Sequence, residues 1–135
     1  MRQAVWSALL GFMLTQPLAG SEGLRVGVDA NYSLGMEAAG ASWAWDGEPS
    51  DLFAGMARQG VREFRVRLWM KNDGPHGKTY ATEVVKRALA ANLNPYLVIF
   101  LSEDWSDMMK QPLPESLRGL TIEERAAAVK TYARD

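Results

Sequence analysis

Hydrophobic and polar residues alternate along residues 24–135 in three similar blocks, each with a strand-like segment followed by a helix-like one. The strand-like segments read LRVGVD (24–29), VREFRVRLW (61–69) and YLVIFL (96–101). Apolar residues at helical spacing follow in SDLFAGMARQG (50–60), ATEVVKRALAA (81–91) and TIEERAAAVKTYARD (121–135). A strand–helix repeat of roughly 35 residues predicts parallel strands joined by right-handed crossovers.

Capping residues mark the predicted ends of two helices. Ser50 is predicted as the N-cap of the first helix, and Gly60 as the residue that stops it. Thr121, with Glu124 three residues later, predicts a capping box at the start of the last helix.

Two parallel architectures fit this order of elements. A doubly wound nucleotide-binding sheet usually has a glycine-rich phosphate-binding turn after its first strand, but VDANYSLG (28–35) contains neither GxGxxG nor GxxxxGK[ST]. The sequence therefore favours an α/β fold of the (β/α)8 TIM-barrel type. Because such a barrel needs about 250 residues, we expect only about the first three β/α units here. A stand-alone three-stranded α/β module is the alternative, and it would need a partner to cover its sheet.

Residues 1–21 have the layout of a secretory signal peptide. Arg2 supplies the positive start, residues 4–14 are apolar, and residues 17–21 resemble a cleavage site. The apolar run is shorter than the roughly 20 residues that span a membrane. We therefore expect a mature domain over residues 22–135, secreted or periplasmic, with no membrane association after cleavage. A buried N-terminal helix is the alternative.

Composition narrows the classes of function. The formal net charge is −1 and no basic run occurs, so nucleic acid is not an expected partner. The absence of cysteine excludes disulfides, thiolate zinc sites and a cysteine nucleophile. No metal or cofactor motif occurs, so none of either is expected. The one histidine, His76, has no acidic cluster nearby and is predicted to be exposed to solvent.

Polar residues stand at the carboxyl end of each predicted strand, where parallel α/β folds place their function. Alternation along the second strand puts Arg65, Arg67 and Trp69 on the face opposite Phe64 and Val66. Arginines that face a barrel interior require carboxylates nearby. We therefore expect Arg67 in a carboxylate network at the mouth of the barrel; a solvated charged face is the alternative.

Tryptophans in loops and at strand ends add a second chemical signal, because indole faces stack on sugar rings while carboxylates and amides bond the hydroxyl groups. Trp43, Trp45, Trp69 and Trp105 all occupy such positions. The combination points to a carbohydrate partner. The predicted binding site consists of Asp29, Asn31, Arg67, Trp69, Ser102, Glu103, Trp105 and Asp107.

Several segments resemble glycoside hydrolase family 53, the arabinogalactan endo-β-1,4-galactanases. RVRLW (65–69) is similar to the family's R-[LV]-R-L-W strand, and LSEDWSD (101–107) is similar to its L-S-D-x-W-A-D-P strand end. The resemblance implies a (β/α)8 barrel and retaining hydrolysis of β-1,4-galactan by two glutamates at the ends of strands four and seven. Both glutamates are expected beyond Asp135. By position, the resemblance carries substrate-site roles onto Asp29, Arg67, Ser102, Trp105 and Asp107.

Departures from the family pattern leave the substrate open. Phe100 stands where the family has histidine, Glu103 where it has aspartate, and Met108 and Met109 replace a proline-containing turn. Another β-glycan is therefore an alternative substrate, and a non-catalytic carbohydrate-binding barrel is an alternative function. Pairing Glu103 with Asp29 or Asp107 as catalytic carboxyls is disfavoured, because a neighbouring arginine lowers a carboxyl pKa, which does not suit an acid. We expect the 135-residue chain by itself to hydrolyse no galactan.

Overall fold

A parallel three-stranded sheet forms the centre of the computed structural model, which describes residues 23–134. In chain order the elements are β1 (Val26–Val28), α1 (Ser33–Ala38), β2 (Ala44–Trp45), β3 (Glu48–Pro49), α2 (Leu52–Arg58), β4 (Val61–Trp69), α3 (Lys78–Ala90), β5 (Asn94–Phe100), a 3-10 turn (Glu115–Leu117) and α4 (Ile122–Tyr132). The sheet order is β1-β4-β5, and both pairings are parallel. The predicted parallel arrangement is therefore confirmed.

The predicted signal peptide over residues 1–21 lies outside the described residues. Within residues 23–134, no helix combines the length and the apolar character needed to cross a membrane.

Helix α1 and the hairpin β2–β3 occupy a segment for which the sequence pattern predicts no regular element. The hairpin pairs Ala44 with Pro49 and Trp45 with Glu48. Asp46 and Gly47 connect the two strands with φ values of 54° and 82°, the left-handed conformation that a two-residue hairpin turn needs. Two-residue strands and a six-residue helix are too short to show a hydrophobic period, so pattern analysis misses them.

The helix boundaries correct two sequence predictions. Asp51, not Ser50, caps α2, because its carboxylate accepts a hydrogen bond of 2.9 Å from the amide of Ala54. Helix α3 begins at Lys78, three residues earlier than predicted, after Gly77. A Cβ on Gly77 would lie 2.6 Å from the carbonyl oxygen of Asp73, so the tight turn into α3 requires glycine.

Other boundary predictions are confirmed. Gly60 follows α2 with φ of 91°, the left-handed conformation typical of a helix stop. The capping box of α4 is complete: Thr121 N–H donates to the Glu124 carboxylate (2.7 Å), and Glu124 N–H donates to the Thr121 hydroxyl (3.3 Å).

The two faces of the sheet differ in chemistry. Phe64 and Val66 of β4 are fully buried against residues of α2 and α3. The register of β4 with β5 aligns Arg67 with Val98 and Trp69 with Phe100, on the opposite face. The apolar core therefore lies under the helices, and the arginine-bearing face is left to form a site.

Arg87 of α3 ties three helical segments together. Its guanidinium donates to the Glu37 carboxylate of α1 (Nη2 to Oε1, 3.0 Å), bonds the N-cap carboxylate of Asp51, and lies 4.6 Å from the Phe53 ring centroid. Trp43 adds an indole N–H bond of 2.9 Å to Glu37. The hydrogen bond from Arg87 lowers the pKa of Glu37 and outweighs the opposing effect of burial.

Replacing Arg87 by leucine is expected to lower the free energy of unfolding by about 2–3 kcal/mol, because it leaves two partly buried carboxylates without their cation. Urea denaturation of the 135-residue chain measures the change. Arg62→Leu is the matched control, because exposed Arg62 donates only to the carbonyls of Ala57 and Val61 among the described residues. Equal losses in the two variants would contradict the role given to Arg87.

Candidate functional site

Two arginines of β4 share one carboxylate at the carboxyl end of β1. Asp29 Oδ2 lies 2.6 Å from Arg67 Nη2, 3.0 Å from Arg67 Nε and 3.1 Å from Arg65 Nη1. Arg67 thus contacts one carboxylate oxygen through two nitrogens, which fixes the plane of its guanidinium. The expected carboxylate partner of Arg67 is present, and it is Asp29.

Asn31 connects β1 to β4 beneath this ion pair. Its side chain is buried; Nδ2 donates to Asp29 Oδ1 (2.7 Å) and to the Arg65 carbonyl (2.6 Å). Its Oδ1 accepts from the Arg67 amide (2.8 Å). Asn31 therefore positions Asp29 and the backbone that carries Arg67.

These contacts keep Asp29 ionised. Burial by itself raises the pKa of Asp29, but the hydrogen bonds from Asn31 and Arg67, with the charges of Arg67 and Arg65, hold that pKa below its ordinary value. Asp29 is thus suited to binding and orientation, and unsuited to donating a proton near neutral pH.

Aromatic rings cover the other side of Arg67. The guanidinium carbon lies 4.5 Å from the ring centroid of Trp105, which follows β5. Trp105 in turn contacts Trp69 edge-on, with centroids 5.4 Å apart, and Phe100 at 6.2 Å. Trp105 is 40% exposed whereas Trp69 is 5% exposed. An exposed indole over a fixed cation is a surface on which a sugar ring could stack while its hydroxyl groups reach charged partners.

His76 lies inside this aromatic cluster, so its prediction as a solvent-exposed residue is wrong. The side chain is fully buried, 4.6 Å from Trp69 and 4.9 Å from Tyr32 between ring centroids. Sequence analysis missed it because the fold brings its partners from four separate segments. The signal available was its position in the loop after β4, at the carboxyl end of the sheet.

Ser102 joins the ends of β4 and β5. It is buried; its carbonyl accepts from the Met70 amide (2.9 Å) and its hydroxyl accepts from the Asp104 amide (3.3 Å). The structure therefore places Asp29, Asn31, Arg67, Trp69, Ser102 and Trp105 at one end of the sheet.

Glu103 and Asp107 occupy separate places. Glu103 lines a cleft of about 310 Å³ together with Lys71, Lys78 and Tyr132. Asp107 Oδ1 accepts from the amides of Met109 (2.7 Å) and Lys110 (2.8 Å), so it shapes its own loop. It also borders, with Ser102, an open cleft of about 560 Å³. Their roles in substrate binding stay predictions.

Trp43 and Trp45, considered with the loop tryptophans as a sugar-binding signal, pack against the core under α2. Trp43 bonds Glu37, and Trp45 lies against Gly55. Among residues 23–134, no group of three His, Cys, Asp or Glu side chains could hold a metal ion. The site is therefore built from charged, amide and aromatic groups.

The family model for glycosyl hydrolase family 53 matches residues 25–135. The chain belongs to this family. Arabinogalactan endo-β-1,4-galactanase of Cellvibrio japonicus is 29% identical over 141 residues, which cover 98% of this chain and 36% of the relative. A probable arabinogalactan endo-β-1,4-galactanase A of Aspergillus flavus is 33% identical over 110 residues, covering 79% of this chain and 31% of the relative.

Solved structures agree with the family assignment. A fungal β-1,4-galactanase superposes with a TM-score of 0.73 at 30% identity, over 78% of this chain and 32% of that one. The family 53 catalytic domain of Ignisphaera aggregans gives a TM-score of 0.72 at 24% identity, over 82% and 35% of the two chains, and shows the shared fold. The chain spans about a third of the length of these relatives. It is a partial α/β piece of the family 53 (β/α)8 barrel, and the barrel prediction is confirmed.

Proposed function

We propose that this family 53 chain takes part in hydrolysis of β-1,4-linked galactan, and that residues 23–134 contribute to binding the polysaccharide. The observation that carries the proposal is Arg67, held by Asp29 on one side and covered by Trp105 on the other. This arrangement stands at the carboxyl ends of parallel strands, where barrel enzymes bind their substrates. The galactanase names of the relatives support galactan as the glycan.

Retaining glycosidases need two carboxyl groups about 5 Å apart, one of which must be a proton donor. Asp29 fails as the donor, because the hydrogen bonds from Asn31 and Arg67 and the charges of both arginines outweigh burial and hold its pKa below the ordinary value. Asp107 accepts two backbone hydrogen bonds within its own loop. The proposal therefore assigns binding to these residues, and it assigns the acid/base and the nucleophile to carboxyl groups beyond Asp135.

Export is part of the proposal. A polysaccharide is too large to enter a cell intact, so its hydrolase is expected outside the cytoplasm, as the signal-like residues 1–21 suggest. Edman sequencing of the protein recovered from culture medium or periplasm is expected to start near residue 22. A recovered protein that begins at Met1 would contradict the predicted cleavage.

A second candidate is a non-catalytic carbohydrate-binding barrel, or a hydrolase of another β-glycan. The observation that favours it is Phe100, an apolar ring 6.4 Å from Trp69 at the position where the family resemblance implies histidine. An aromatic ring there adds stacking surface but removes a group able to bond a hydroxyl.

The test measures the binding of soluble β-1,4-galactan, xylan and mannan to the 135-residue chain, with tryptophan fluorescence as the readout. We expect galactan to bind, and Trp105→Ala to weaken that binding about 10-fold or more, because it removes the exposed stacking face. Trp43→Phe is the matched control. Trp43 lies away from Arg67, so this variant should bind galactan as tightly as the wild type does.

Three outcomes separate the candidates. Tighter binding of xylan or mannan would make that glycan the proposed substrate in place of galactan. Failure to bind any of the three would overturn the proposal. Reducing-sugar assays on the natural protein that carries this chain then distinguish a hydrolase from a non-catalytic carbohydrate-binding protein. Galactan bound without release of sugar would favour the non-catalytic alternative.

A further inference from the structure

The loop after β4 folds back over the end of its own strand. The His76 carbonyl accepts a hydrogen bond of 2.8 Å from the Trp69 amide, and His76 has φ of 62°. Positive φ is uncommon for residues other than glycine, and histidine is one of the types that adopt it most readily. The turn brings the imidazole from the loop into the aromatic cluster, against the rings of Tyr32, Trp69, Tyr80 and Trp105.

Three polar nitrogens in this cluster lack hydrogen-bond partners. Neither Nδ1 nor Nε2 of His76, nor Nε1 of Trp69, has a partner among residues 23–134. The two rings are neighbours, with centroids 4.6 Å apart. An unsatisfied buried polar group costs about 1–3 kcal/mol, and native proteins rarely keep several together without a use for them. Removing the histidine would be the simpler solution for a purely structural core.

The chemistry of the three nitrogens defines a ligand class. Burial lowers the pKa of His76, the charges of Arg67 and Lys71 lower it further, and Asp29 opposes them. A neutral imidazole offers one N–H donor and one acceptor nitrogen, and the indole adds a second donor. A hydroxyl group both donates and accepts, so it can donate to the acceptor nitrogen of His76 while it accepts from the indole N–H of Trp69. A carboxylate or phosphate would leave the acceptor nitrogen of His76 unpaired.

Access to these nitrogens is controlled by partly exposed rings. Trp105 is 40% exposed and Tyr32 is 49% exposed, and both contact His76. Trp105 also stacks on Arg67, so an indole that turned from Arg67 to stack on a sugar ring would also move away from His76. Phe100, on the same side of the sheet, contacts Trp69 and Trp105 and can bond no hydroxyl.

We propose that His76 and Trp69 Nε1 form a hydroxyl-binding subsite, opened when the Trp105 indole turns from Arg67 to stack on a sugar ring. The proposal rests on the proposed function, since the sugar is a β-1,4-linked galactose unit. It makes His76 a specificity-determining residue of this chain, and it supplies a polar contact on the side where Phe100 provides none.

The test compares wild type with His76→Phe by calorimetric titration of the 135-residue chain with β-1,4-galactotetraose. His76→Phe keeps an aromatic ring and removes both nitrogens. We expect affinity to fall about 10- to 100-fold, while the thermal midpoint stays the same or rises, because an apolar ring leaves no unsatisfied group. Trp43→Phe is the control: the Trp43 indole N–H bonds Glu37 (2.9 Å) away from the site, and the affinity of this variant should match that of the wild type.

Monodeoxy galactotetraoses identify the hydroxyl. The wild type should bind one of the deoxy sugars more weakly, by about the same factor that His76→Phe lowers affinity for galactotetraose. The variant should bind that deoxy sugar as tightly as it binds galactotetraose. Wild-type affinity that is insensitive to every monodeoxy analogue would overturn the subsite without reference to any variant. Wild-type binding that His76→Phe leaves unchanged would overturn the subsite and spare the proposed function. Failure of the wild type to bind galactotetraose would overturn both.

Discussion

Replacing Asp29 by asparagine is expected to lower the free energy of unfolding by about 2–3 kcal/mol at neutral pH. The substitution keeps an oxygen for the Asn31 bond but removes the charge that two arginines share. Arg67 has a side chain only 16% exposed, so water cannot replace the lost anion at low cost. Breaking a fully buried ion pair costs more free energy than this, and the partial exposure of Arg65 reduces the cost here.

The loss should depend on pH. The pKa of Asp29 is lower in the folded chain than its ordinary value, so its stabilising effect is complete above the unfolded pKa of about 3.9 and disappears as pH falls through the folded pKa. Urea unfolding curves from pH 7 downward should show the wild type and the variant converging in acid. A constant difference at every pH would show that the effect comes from shape and not from charge.

Asp104→Asn is the matched control for the charge change. Asp104 also bonds a cation, Lys110 Nζ at 2.9 Å, but both side chains are more than half exposed. Exposed pairs contribute little to stability, so this variant should unfold like the wild type. Galactan affinity should also distinguish the two variants. Asp29→Asn frees the guanidinium of Arg67 that Trp105 covers, whereas Asp104→Asn leaves that guanidinium in place.

The strong periodic elements could be predicted from the sequence. Strand β4 spans the predicted residues 61–69. A carboxylate beside Arg67 could also be predicted, from the cost of burying an arginine without an anion, and the structure identifies it as Asp29. The lack of a glycine-rich phosphate-binding turn after the first strand already favoured the barrel, and the family resemblance gave a second, separate reason for it.

Contacts made by irregular segments could not be predicted. His76 is buried because Tyr32, Tyr80 and Trp105 arrive from three other segments, and no local pattern encodes that meeting. Trp43 and Trp45 looked like surface stacking residues because the hairpin that turns them onto α2 has strands of only two residues. Side-chain direction in a loop depends on tertiary packing: Trp105 lies over Arg67 at the end of the sheet, whereas Trp45 packs against the core.

Gly55→Ala is expected to destabilise the chain by about 3 kcal/mol. Gly55 lies buried in α2, and a Cβ there would overlap the indole of Trp45 at Nε1, Cδ1 and Cε2. The indole is a rigid ring, and it would have to leave its place on the core and take the hairpin with it. Chemical denaturation measures the loss, and near-ultraviolet circular dichroism reports the displaced indole.

Gly35→Ala provides the same chemical change with the opposite expected sign. Gly35 also lies inside a helix, α1, but an added Cβ meets nothing within 4 Å. Alanine there should stabilise by about 0.5–1 kcal/mol, because it lowers the backbone entropy of the unfolded chain. A second-site change tests the cause at Gly55: Trp45→Ala destabilises the wild type by removing a packed ring, but in the Gly55→Ala background it should cost little, since the ring is already displaced. Additive losses of unfolding free energy in the double variant would show that Gly55 has a role other than leaving space for the Trp45 indole.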